Sequence, residues 1–205
     1  MCGIFAYSGA AAPNPDLLTA AAAEAARRGP HGYGWGYQQP DGSPYVYRQL
    51  GTLNGDLKLI TALRSTAIVG HARLATQGAM CTDRSGLQPI TAGGHLLTHN
   101  GNIYNPGELA PPGFATDSAA LAARYAAHRT AGLPPAAALT QTLTSAVTPA
   151  SAVVVLDASG ALTAWRRKLP LYLHEHERGR YVSSRPFAAA RLLPEETVIK
   201  LGDHD

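Results

Sequence analysis

Apolar positions follow two periods along this chain. Gly3 to Tyr7 is a short apolar run of strand length. Asn14-Pro15-Asp16 then makes a helix start. The asparagine accepts from an orphan backbone N–H, proline fits the first helical position, and aspartate suits the positive end. Leu17, Leu18, Ala21, Ala22 and Ala25 share one face, so a helix is expected from about Pro15 to Arg28. Arg27 and Arg28 suit its negative end, and Gly29 is expected as a left-handed stop. Tyr33 to Tyr37 and Tyr45 to Gln49 read as strands joined by the Asp41-Gly42 turn. A polar turn at Asn54-Gly55 leads into a short helix over Leu57 to Leu63. Ala67 to Arg73 and His95 to His99 are the next strands. One helix begins near Asp117, with Leu121 and Tyr125 one turn apart, and another covers roughly Ala136 to Val147.

The last third carries strand signal almost throughout: Ala152 to Leu156, Leu162 to Arg166, Leu171 to His174, Tyr181 to Ser184 and Thr197 to Leu201. Gly, Pro and charged turns such as Ser159-Gly160 and Arg178-Gly179 separate them. Two or three helices among roughly ten short strands predict an α+β layered fold. With no internal repeat and no long linker, residues 1–205 are expected to form a single domain.

Composition narrows the function classes. Hydrophobic residues make up 45% and charged residues 15% of the 205 positions, a globular rather than a disordered balance. The net charge of +3, from 17 basic and 14 acidic residues, is not gathered into a basic stripe. The densest run, Arg166-Arg167-Lys168, is soon followed by His174-Glu175-His176-Glu177 and reads as a solvated face, so no nucleic-acid partner is expected. His174 and His176 show no recognised zinc spacing and read as an exposed strand end; no metal and no cofactor is expected. The alanine stretch from Ala20 to Ala26 contains Glu24 and is closed by Arg27-Arg28, which rules it out as a membrane span. No basic region precedes an apolar export segment, so a cytoplasmic location is expected, with Cys2 and Cys81 as free thiols.

Cys2 carries the first candidate chemistry. Its small side chain permits removal of the initiator methionine, which leaves a thiol and an α-amine on one residue. An α-amine titrates at about 7.7–8.0, a useful range for a general base, so nucleophile and base can be one residue. By position alone Cys2 is equally a small core hydrophobe at a strand edge.

Five ordered segments decide between these: Met1-Cys2-Gly3-Ile4-Phe5, Arg28-Gly29-Pro30-His31-Gly32, Gly70-His71-Ala72-Arg73-Leu74-Ala75-Thr76, His99-Asn100-Gly101-Asn102-Ile103 and Thr116-Asp117-Ser118. In these the chain resembles the class II glutamine amidotransferase domain, an N-terminal-nucleophile glutaminase, over nearly its whole length. The resemblance implies a four-layer αββα sandwich of the N-terminal-nucleophile hydrolase type, with two antiparallel sheets flanked by helices. It also implies roles. Cys2 is the nucleophile, and Asn100 with Gly101 holds the oxyanion. Arg73 binds the α-carboxylate of glutamine, with Thr76 adding a hydroxyl, and Asp117 receives the α-ammonium.

The residues themselves allow plainer readings. Asn100-Gly101 after a strand is also a turn, and Asp117 is also a helix cap. Gly29 to Gly36, with four glycines in eight residues, fits no phosphate-loop pattern, and the resemblance implies a segment near the nucleophile whose mobility helps close the pocket. His31 stands where several members carry aspartate, Leu74 replaces a common aromatic residue, and Gln77 stands where some carry histidine.

The expected activity is hydrolysis of the side-chain amide of L-glutamine to glutamate and ammonia. The 205 residues hold no synthase or ATP-binding module, so a separate ammonia-accepting enzyme subunit is the expected partner. Two alternatives stay open: a stand-alone amidohydrolase for a γ-glutamyl or related small-molecule amide, and an inactive partner-binding or regulatory protein.

Overall fold

Residues 1–75, 84, 86–110 and 113–202 are described in a computed structural model, so Thr76, Gln77 and Cys81 lie outside the described residues. The elements in chain order begin with β1 (Gly3–Ser8), α1 (Pro15–Ala26), β2 (Gly32–Gln38) and β3 (Pro44–Leu50). A 3₁₀ turn at Leu53–Asp56 runs into α2 (Leu57–Thr61), followed by β4 (Ala67–Arg73), β5 (Ile90–Ala92) and β6 (His95–Gly101). Three helices come next, α3 (Pro106–Leu109), α4 (Asp117–Thr130) and α5 (Pro135–Ser145). The chain closes with β7 (Ser151–Leu156), β8 (Leu162–Arg167), β9 (Tyr172–His176), β10 (Gly179–Ser183), β11 (Arg191–Leu192) and β12 (Ile199–Lys200).

These strands form two antiparallel sheets. One has seven strands in the order β11-β9-β10-β1-β4-β2-β3, the other five in the order β12-β8-β7-β6-β5. Ile4, Ala6, Val69, Leu96, Ala152 and Val154 pack between the sheets. Phe5, Tyr7, Trp35 and Ile68 face the opposite way, against Leu18, Ala21 and Ala25 of α1 and Ile60 of α2. Leu97, Val153, Val155 and Trp165 likewise face Leu121, Tyr125 and Leu139 of α4 and α5. The result is the expected helix–sheet–sheet–helix sandwich. Strands such as β4 and β7 read as continuous apolar runs because both of their faces are covered.

Local signals explain most of the elements. Asn14 caps α1 as expected, its Oδ1 accepting from the N–H groups of Asp16 (3.0 Å) and Leu17 (3.3 Å). The helix ends at Ala26 with Arg27 as its cap, two residues short of the expected end. Gly29 has no left-handed backbone; instead, a Cβ there would overlap the Ala72 carbonyl of β4, so the residue is small to let the chain cross that strand. The glycine-rich stretch is also not a loop: from Gly32 it is β2, buried between β3 and β4. The Asn54-Gly55 turn lies inside the 3₁₀ segment. Strands β5 and β11 and helix α3 are too short to have left a period in the sequence.

One consequence of this packing is testable. Gly3 starts β1 where α1 crosses it, and a Cβ at that position would overlap the Ala25 carbonyl oxygen. Both sides of the contact are backbone, so neither can rotate away. Gly3→Ala is expected to destabilise the fold by about 2–3 kcal/mol, read as a lowered urea midpoint at unchanged slope.

Candidate active site

Side chains alternate along a strand, so the inter-sheet face of β1 and β4 that carries Ile4 and Val69 also carries Cys2 and Arg73. The same parity on β6 puts Asn100 on the face that carries Leu96. All three stand at the same end of the two sheets. Cys2, Arg73, Asn100, Gly101 and Asp117 line one cavity of about 300 Å³ there, together with Met1, Leu74, Thr116 and Ser118. Thr76 lies outside the described residues.

Cys2 precedes the central strand β1 and is held from two directions. Its backbone N–H donates to Asn100 Oδ1 of the other sheet at 3.2 Å. Its sulfur receives the Leu74 N–H at 3.4 Å and lies 3.6 Å from the Leu74 carbonyl oxygen. Burial pushes the thiol above its ordinary value; the Leu74 backbone, the terminal ammonium, Arg73 and Arg28 pull the other way without cancelling it. Cys2 is therefore a neutral thiol at neutral pH and needs a base to become a nucleophile.

Asn100 and Gly101 are not a turn. They are the last two residues of β6, paired with Ala152 and Ser151 of β7. The ladder runs through them because β7 continues opposite. Gly101 has φ +135°, and a Cβ there would come within 2.6 Å of the Ala150 carbonyl oxygen, so glycine is required at this place. With Oδ1 of Asn100 bound to Cys2, its Nδ2 is buried without a partner among the described residues.

Asp117 is not the helix cap either. Thr116 is, its Oγ1 accepting from Ala119 N–H at 3.1 Å, and Asp117 is the first residue of α4. Its Oδ2 accepts from Ile103 N–H and its Oδ1 from Ser118 N–H, both at 2.8 Å. These bonds fix the carboxylate while leaving each oxygen a second lone pair. Arg73, the last residue of β4, occupies the space that a side chain at Gly86 would overlap.

Several residues in or around the site make contacts that the sequence did not assign. Arg28 read as a helix-end charge, but its half-buried guanidinium donates from Nη1 to the Ser184 carbonyl at 2.9 Å, and its Nη2 is buried without a partner among the described residues. Burial and Arg185 lower its pKa, while Cys2 and Tyr172 oppose the shift. His31 brackets the Arg73–Ala75 segment, its Nδ1 accepting from Ala75 N–H at 2.9 Å and its own N–H donating to the Arg73 carbonyl at 3.0 Å. His71 and His99 lie fully buried beside the cavity. Burial, reinforced by His99, pushes His71 down to about 3. Burial pushes His99 down to about 4 against the pull of Asp117. Both are neutral imidazoles at pH 7 and add no charge beneath the site. Thr116 had a signal available, since a threonine three residues before Ala119 is a capping position.

His174 and His176 pack elsewhere, their rings 6.4 and 6.3 Å from that of Tyr181. Among the described residues no group of three or more His, Cys, Asp or Glu is placed to hold a metal ion. Among the same residues no helix is long and apolar enough to cross a membrane.

This arrangement has the fold of the class II glutamine amidotransferase domain, as solved structures show. Glutamine phosphoribosylpyrophosphate amidotransferase from B. subtilis superposes over 97% of this chain with a TM-score of 0.73 at 18% identity. A structure described as the allosteric regulatory enzyme of purine biosynthesis matches 97% of the chain with a TM-score of 0.75 at 19% identity. In each case the chain spans 47% of the other protein's length. A glutamine aminotransferase class II domain protein from Silicibacter pomeroyi is covered over 98% of its own length, with a TM-score of 0.60 and 17% identity. No family model and no curated protein matches the sequence.

Proposed function

We propose that the protein is a glutaminase of the N-terminal-nucleophile type, which hydrolyses the side-chain amide of L-glutamine once Met1 has been removed. The observation that carries this reading is the Asn100 carboxamide. Its Oδ1 holds the Cys2 backbone nitrogen, while its Nδ2 is a buried donor with no partner among the described residues. A buried amide left unsatisfied costs about 1–3 kcal/mol. A ligand that brings negative charge beside Cys2 supplies the missing acceptor. Met1 is exposed, which leaves it open to an aminopeptidase, and it lines the cavity, so its loss enlarges the site.

In the mechanism, the freed α-amine of Cys2, oriented by Asn100 Oδ1, takes the thiol proton. The sulfur bonds to the amide carbon, and the carbonyl oxygen becomes an oxyanion beside Asn100 Nδ2 and Gly101. Such preorganised donors are worth about 3–4 kcal/mol of barrier. The amine returns the proton to the amide nitrogen, the carbon–nitrogen bond breaks and ammonia leaves. Water then attacks the thioester, releasing glutamate and restoring the thiol.

Arg73 and Asp117 both line the cavity and match the two charges of a free α-amino acid, which favours glutamine over an internal peptide residue. Thr76 is proposed to add its hydroxyl to the carboxylate side. A separate ammonia-accepting enzyme is the partner this reading implies. The test is release of glutamate and ammonia from L-glutamine by purified protein whose intact mass shows loss of Met1. A γ-glutamyl amide hydrolysed in preference to glutamine would favour the stand-alone amidohydrolase; no turnover of either would leave an inactive binding protein.

The carboxylate clamp gives a sharper prediction. Arg73→Ala is expected to raise KM for glutamine by about 10²-fold or more. Arg73→Lys should recover only part of this, because an ammonium cannot reproduce a bidentate fork. Steady-state kinetics over a wide glutamine range check both.

A further inference from the structure

Gln88 is buried just before β5, among the residues that line the cavity. The β5–β6 ladder pairs Ala92 with His95, Thr91 with Leu96 and Ile90 with Leu97. Continued by one pleat, it would bring the backbone of residue 88 to His99. The Gln88 side chain takes that place instead. Its Oε1 accepts from His99 N–H at 2.6 Å, and its Nε2 donates to the His99 carbonyl at 3.1 Å. A carboxamide has the donor and acceptor of a peptide unit, so it completes the buried strand edge.

It also has something a peptide unit lacks, a second N–H. That one points to Ser118 Oγ, 3.3 Å away at the start of α4. Ser118 Oγ also lies 2.9 Å from His99 Nδ1 and 3.4 Å from Asp117 Oδ1. The three side chains close a ring of bonds between β6 and α4. Each end of that ring is one residue from a proposed substrate contact: His99 precedes Asn100, and Ser118 follows Asp117.

We propose that Gln88 is a positioning residue that fixes the oxyanion donors on β6 and the ammonium-binding carboxylate on α4 at one separation, so that a single glutamine meets both at once. This rests on the glutaminase reading. The physical requirement is specific to an amide: a glutamate keeps the acceptor for His99 N–H but has no hydrogen for His99 O or Ser118 Oγ, and a methionine keeps only the shape.

The test compares L-glutamine with 5-amino-5-oxopentanoate, the same amide without the α-amino group, in wild type, Gln88→Met and Gln88→Glu. Wild type is expected to prefer glutamine in kcat/KM. In both variants that preference should fall by about 10-fold or more, because Asp117 no longer registers with Asn100. The kcat/KM for 5-amino-5-oxopentanoate, which makes no contact with Asp117, should fall less than that for glutamine. A general loss of structure would slow both substrates alike and leave their ratio unchanged, and that outcome overturns the proposal. Should the Gln88 variants fail to fold, Ser118→Ala removes one arm of the ring; it is expected to narrow the preference less, and an unchanged ratio there is equally fatal. A wild type that turns over neither compound overturns the glutaminase reading itself, and the role of Gln88 falls with it.

Discussion

Cys2→Ala is expected to abolish glutamine hydrolysis, lowering kcat by at least about 10³-fold, with the fold unchanged. Among the described residues the thiol makes two weak hydrogen bonds, both with the Leu74 backbone, so little stability rides on it. An alanine at position 2 still permits loss of Met1 and still offers an α-amine to Asn100 Oδ1. The variant therefore removes the sulfur and nothing else that the mechanism uses. Thermal unfolding and intact mass establish that the comparison is fair, and glutamate release reads the result. Turnover at the wild-type rate in Cys2→Ala would sink the proposed chemistry outright, since no other described residue of the cavity offers a thiol.

Asp157→Ala should cost about 3 kcal/mol of stability while leaving every cavity residue in place. Asp157 is fully buried at the turn from β7 to β8, and its carboxylate gathers groups from two other elements. Arg129 of α4 donates through Nε at 2.6 Å and Nη2 at 3.1 Å, Tyr125 donates its hydroxyl at 2.8 Å, and His95 Nδ1 of β6 lies 3.0 Å away. Removing the carboxylate leaves a mostly buried guanidinium and a buried phenol without their acceptor, which is the costly way to break such a network.

The pH dependence follows from the same contacts. Burial alone would raise Asp157, but hydrogen bonds from His95, Arg129 and Ser159 outweigh it and hold the carboxyl below the usual carboxylate range. A depressed folded-state pKa contributes stability in full above the unfolded value of about 3.9 and loses it as pH falls toward the folded value. The stability gap between wild type and Asp157→Asn should therefore be constant near neutrality and shrink below about pH 4. Urea unfolding across that range is the measurement; a gap that widened in acid would contradict the assignment.

Much of the fold was legible because the signals behind it are local. The cap at Asn14 and the strand Ala67–Arg73 lie where the residue pattern puts them, and Leu121 and Tyr125 are both buried under α4. Reading failed where a distant partner decides the outcome. Asn100-Gly101 has the composition of a turn, yet β7 lies opposite and extends the strand through it. Gly29 looks like a helix stop, and its smallness serves the Ala72 carbonyl instead. Within the glycine-rich stretch the strand expected over Tyr33 to Tyr37 is there as β2, and the mobile segment implied by the resemblance is instead held between two neighbouring strands.

The candidate site divides the same way. Cys2, Arg73, Asn100, Gly101 and Asp117 were named from the sequence through its likeness to a family's ordered motifs, and the structure brings these five to one cavity. Arg28 and His31 stood in a quoted motif without a role and Gln88 had no mark at all, because what they do depends on Ser184, Ala75, His99 and Ser118, distant in the chain. Sequence by itself determined the residue chemistry, the period of each long element and hence the layered class of fold. The tertiary structure alone decided which strand faces which, and so which polar atoms are left buried without a partner. The physical reason is that periodicity is written in neighbouring residues, whereas the satisfaction of a buried hydrogen bond is settled across the gap between two sheets.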